Sequence, residues 1–134
     1  MQGMPLFLTG LMLSSTTPGA SMDGSTVNGM IFDHRIEACG VYVEVSELAL
    51  LRPFIEASRE LAGSFQIAVT KQSRSGTAMT SQSNRFAGGS LGNVTLAVDR
   101  PSRIAIDMTV MAPDGTRLCR VDTSIEFDEP SIRL

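Results

Sequence analysis

"GSFQIAVTK", residues 63–71, alternates without a fault. Phe65, Ile67 and Val69 fall on one side, and Gln66, Ala68 and Thr70 on the other. A period of two is the mark of a strand with one buried face. The same period returns in "RIAIDMTVMA" (103–112), with Ile104, Ile106, Met108 and Val110 in phase. It returns again in "TRLCRVDTSIEF" (116–127), with Cys119, Val121, Ile125 and Phe127 in phase. "IEACGVYVEVSE" (36–47) places Cys39, Val41, Val43 and Val45 together.

Between these runs lie "LALLRPFIEAS" (48–58), "TAMTSQSNRF" (77–86) and "GNVTLAVD" (92–99). Pro53 interrupts the first of them, as expected at a bulge or an edge. It also argues against reading residues 47–61 as a helix, although their apolar spacing is partly helical. Turn chemistry separates most runs: a Gly-rich turn at 88–92, and Pro113-Asp114-Gly115. Strands at this spacing predict an all-β, seven-stranded antiparallel sandwich of immunoglobulin type over residues 35–128. Residues 129–134 read as a tail.

The start of the chain has another character. Its first twenty residues carry no charge. "MPLFLTGLML" (4–13) has the length of a signal-peptide apolar region, and "SSTTPGA" (14–20) offers small residues for cleavage after Ala20. A basic N-terminal region is missing. The run is too short and too broken to span a membrane. Residues 1–20 thus read as a signal peptide, 21–34 as a flexible leader, and the protein as exported.

Composition narrows the function. The chain has 134 residues, 43% hydrophobic and 19% charged, with a net charge of −3. That is enough apolar text for a core and the wrong charge for a general nucleic-acid binder. Trp is absent, and His34 is the only His, so a multi-His metal site or a His-based triad is not expected. The serines lack a nucleophile elbow. "GGSLGN" (88–93) leads into a strand, so it reads as a turn and not as a phosphate cradle. The carboxylates have no metal-ligand spacing. No catalytic residue, metal or cofactor is expected.

Cys39 and Cys119 sit in the first and last of the expected strands, in phase with the apolar residues. In an exported protein such a pair reads as a disulfide. Two buried free thiols are the alternative. A redox-active pair lacks the C-x-x-C spacing.

Charge is unevenly spread. From Arg52 to Arg103 seven basic residues face three acids, a net +4, while the flanks sum to −7. Within this basic island lies "QSRSGTAMTSQSNRF" (72–86), which has strand-forming Thr residues and almost nothing apolar to bury. Lys71, Arg74, Gln82 and Arg85 are its candidate contact residues. Lys71 ends its strand and is expected to reach solvent at the rim, Arg74 lies in a turn, and Arg85 points out while Phe86 points in. A polar strand on a solvated face is also common without any partner.

The order of Phe65, Lys71, Ser73, Ser75, Gly76, Thr77, Ser81, Gln82, Ser83 and Phe86, with "LCRV" after an Asp-Gly turn, resembles the periplasmic curli-assembly inhibitors. The branch is the CsgH-like one, related to CsgC. The resemblance covers about residues 36–123 and is most specific in 63–87. Asn84–Arg85 stands where a small residue is usual, and the C-x-C pair of the CsgC branch is absent. The resemblance implies an immunoglobulin-like monomer in the periplasm that meets a curli-type amyloid subunit transiently and keeps it from nucleating. A structural or adhesive sandwich module of a secretion or surface system is the alternative reading.

Overall fold

The computed structural model describes residues 24–129. The expected signal peptide, and residues 130–134 of the expected tail, lie outside them. Nine strands form among the described residues: β1 (Gly24–Asn28), β2 (Met30–Ile31), β3 (Ile36–Val45), β4 (Ala49–Ala57), β5 (Gly63–Ser73), β6 (Gly76–Phe86), β7 (Leu96–Val98), β8 (Ser102–Met111) and β9 (Arg117–Phe127). They make two antiparallel sheets, ordered β1-β3-β4-β7 and β2-β9-β8-β5-β6.

All seven expected strands are present, as β3 to β9. The number seven is corrected by β1 and β2, which fall in the segment read as a leader. Their sequence hides them because they bury little. β1 shows no alternation, and both residues of β2 are exposed. Backbone pairing holds them instead, Asn28 opposite Gly40 and Met30 opposite Arg120. The close approach of β1 requires a glycine in β3, since a Cβ on Gly40 would fall on the Val27 carbonyl oxygen.

Residues 47–61 are strand and turn, not helix. Pro53 pairs with Val41 on one side, while β7 covers β4 only from Ala49 to Leu51. Pro53 therefore lies where β4 has lost its second neighbour, a position that needs no N–H donor. The expected Asp-Gly turn joins β8 to β9. Thr116 N–H donates to Asp114 Oδ1 at 2.9 Å, and Gly115 takes a φ of 90°. That N–H bond holds the Asp114 carboxyl below its usual range.

The inward rows interlock as one core. Phe65, Ile67, Ile104, Ile106, Met108, Val110, Leu118 and Val121 from one sheet meet Val41 and Leu51 from the other, each 2% exposed or less. Cys39 of β3 and Cys119 of β9 form a disulfide across the two sheets, with Cα atoms 6.6 Å apart and positions 80 apart in sequence. In the chain-entropy account, a loop of that length stabilises the fold by roughly 4 kcal/mol. Replacing both cysteines by Ala should therefore lower stability by about 2–5 kcal/mol, read from denaturant unfolding with and without reductant. Reductant should have no effect on the double variant.

Candidate functional site

β6 is the outermost strand of its sheet, paired with β5 from Ser73↔Gly76 through Gly63↔Phe86 without a bulge. From Gly76 to Arg85 every residue is exposed, and only Phe86 is buried. One solvated face is ordinary for an antiparallel sheet. Solvent on both faces is not, and it arises because the facing sheet ends at β7, a strand of three residues.

The register divides the β6 side chains. Ala78, Thr80, Gln82 and Asn84 lie opposite Lys71, Val69, Ile67 and Phe65, so they share the inward face. Thr77, Met79, Ser81, Ser83 and Arg85 share the outward face. Met79 is 66% exposed and is the one large apolar group on that row. Under the inward row lies a cleft of about 130 Å³, bounded by Val69, Ala78, Thr80, Leu96 and Val98. Lys71 and Asp99 also line it.

The expected contact residues do not form a single patch. Arg74 sits in the turn at the tip of the β5–β6 hairpin, as expected, and is exposed. Arg85 points outward beside the inward Phe86, also as expected. Gln82 is exposed but lies on the inward face, opposite Ile67. Lys71 departs furthest from its reading. Its ammonium is not free at the rim: it bonds Asp99 Oδ2 at 3.1 Å, and the Lys71 side chain is only 21% exposed. The period had placed Lys71 inward; the partner, 28 residues away, had no local signature.

The basic island of the sequence disperses in the same way. Arg52 pairs with Glu44 at 3.4 Å and Arg103 with Glu126 at 3.9 Å, both acids from outside the island. Arg100 donates to the Ser46 carbonyl, while its Nε is buried without a partner. Among the described residues, Arg59, Arg74 and Arg85 are the island's cations with neither an ion pair nor a side-chain hydrogen bond. Two of these three stand at the two ends of β6, which itself contains no acid.

Away from β6, Arg120 and Asp33 find their ionic partners close by. Arg120 bridges Asp107 and Asp122 at 3.2 and 3.6 Å on the outer face, and those carboxylates raise its pKa. Asp33 accepts from the Arg35 side chain and backbone N–H, which holds its carboxyl far below the usual range. His34 is exposed, 3.8 Å from Asp33. These are structural pairs at the surface and contribute little to stability.

Thr77, Met79, Ser81 and Ser83, which share the outward row, are not among the four contact residues expected from the sequence. Their signal was available in the parity of the hairpin: once the turn is set at Arg74–Ser75, the facing of each residue follows by counting.

The chain is similar to CsgH of R. palustris, known from a solution structure: 28% identity, covering 67% of this chain and 89% of that one, with a TM-score of 0.45. The resemblance carried by residues 36–123, most specific in 63–87, points to the same family. No protein-family model and no curated protein matches the chain.

The four candidate residues should separate on substitution. Arg74→Glu and Arg85→Glu should each change stability by less than about 0.5 kcal/mol, as exposed changes do. Lys71→Glu sets a second carboxylate against Asp99 and should cost roughly 1–3 kcal/mol. Thermal unfolding of the three variants checks this ordering.

Proposed function

We propose that the protein is a periplasmic, non-enzymatic inhibitor of curli-type amyloid assembly, an immunoglobulin-like monomer that contacts its client through the β5–β6 hairpin. The observation that carries the reading is β6 itself, an eleven-residue edge strand exposed on both faces and built from Thr, Ser, Gln and Asn. Subunits that assemble as cross-β stack polar strands through backbone bonds and amide ladders. A partner for such strands needs a matching surface that does not itself collapse with apolar neighbours, and β6 meets that description. The sequence resemblance of residues 63–87 supports the same family of functions. The disulfide is consistent with an exported protein.

Arg74 and Arg85 supply the positive charge near this surface. Lys71, neutralised by Asp99, contributes less. Steering by exposed charges is screened over about 8 Å at physiological salt, so added salt should weaken the effect.

Well below one equivalent of the purified protein should lengthen the lag of thioflavin fluorescence for a curli subunit. An unchanged lag at equimolar protein would overturn the reading. Arg74→Glu with Arg85→Glu should shorten the lag toward that of the subunit alone while leaving the melting temperature in place.

A further inference from the structure

We infer that the free edge of β6 is a strand-docking site of fixed register, on which Thr77, Met79, Ser81, Ser83 and Arg85 present their backbone N–H and C=O groups to an extended, amide-rich peptide. The inference rests on the inhibitor reading for the biological identity of that peptide, but not for the site.

The register follows from the hairpin. Ser73↔Gly76 closes a two-residue turn, Gly76 taking a φ of 121°. The pair that closes such a turn exchanges both backbone bonds, and bonded pairs then alternate along the ladder. Lys71↔Ala78, Val69↔Thr80, Ile67↔Gln82 and Phe65↔Asn84 are therefore the bonded pairs. The residues between them turn both groups to the open side. Among the described residues, no backbone bond reaches them there.

Among the described residues the other strand edges are defended and this one is not. β1 is five residues long and β7 three. The open part of β4 carries Pro53. β9 is open beyond its pairing with β2, and there the same parity turns out Asp122, Ser124 and Glu126, two of them carboxylates. Proline, charge and shortness are the devices that block strand addition. β6 has eleven residues, no proline, no bulge and one charge, at its end.

The side chains specify the occupant. On the open side Thr80, Gln82 and Asn84 are at non-bonded positions, where facing Cα atoms approach to about 4.5 Å. Gln or Asn there can form an amide ladder with Gln82 and Asn84. Arg74 and Arg85, with no acid between them, favour a strand carrying a carboxylate at an end. The occupant is thus a Gln-, Asn- or Ser-rich extended segment with terminal acidity. A second copy of β6 would bring only cations to those ends.

Two measurements test this. In the unmutated protein, excess synthetic Gln-, Asn- and Ser-rich peptide ending in Glu should slow amide exchange at Thr77, Met79, Ser81, Ser83 and Arg85 by about tenfold or more. Ala78, Thr80, Gln82 and Asn84, already bonded to β5, should change little. Uniform protection, or none, overturns the inference, and so does alternate protection that rises with protein concentration in the absence of peptide, which would mark a second copy as the occupant.

The second measurement uses proline. Ser81→Pro removes an outward N–H and should leave the melting temperature nearly unchanged, while Thr80→Pro removes a bond to β5 and should lower it sharply. Ser81→Pro should lose the peptide-induced protection and the delay of curli assembly. A folded Ser81→Pro protein that delays assembly fully overturns the edge as the site and leaves the inhibitor reading standing. The exchange measurement requires no amyloid, so its failure is a failure of the edge alone.

Discussion

The two sheets are of unequal width, and much else follows from that mismatch. The sheet β2-β9-β8-β5-β6 projects past its cover at β6, because the opposite sheet ends in the three residues of β7. Apart from Phe86, burial stops at β5, whose Phe65, Ile67 and Val69 close the core. Beyond it, Ala78, Thr80, Gln82 and Asn84 face inward with little to meet. Hydrophobic residues in that row would lie exposed in a contiguous patch, the kind of surface that associates without discrimination. The polar composition of β6 is thus what its position demands.

Holding so long a strand with one buried side chain is a separate problem. Phe86 anchors one end, and the tight turn at Arg74–Ser75 fixes the other. Between them the ladder to β5 does the holding, and β5 is itself fixed from its other side by β8. The disulfide and the Lys71–Asp99 pair then lock the sheets behind the overhang. Rigidity in the supporting strands keeps the exposed one extended, which reduces the ordering that any contact with it must offset.

Much of this was legible in the sequence. Strict alternation in 63–71 and 103–112 identified β5 and β8 and the inward phase of each, because one face of each is fully buried. The same argument put Cys39 and Cys119 in the core and turned Arg85 away from Phe86. It failed where burial is slight. β1 and β2 are held by backbone bonds to β3 and β9, which leave no periodic trace. The count of charges along the chain missed the ion pairs for a different reason: Glu44, Asp99 and Glu126 reach the island's cations through the fold and not along the chain. The site was legible as a polar segment, and its residues only in part, since the facing of backbone groups depends on the exact turn.

The asymmetry between the two margins of the larger sheet sets a valence. Among the described residues β6 is open along its length, while the far margin is paired with β2 and, beyond it, carries Asp122 and Glu126 on β9. A molecule receptive on one side alone can end a row of strands but cannot join two rows. On the inhibitor reading proposed above, such a molecule is, in the language of polymer chemistry, a monofunctional chain stopper. The quantity that such a stopper must match is the number of growing ends, which is far smaller than the number of subunits waiting to add.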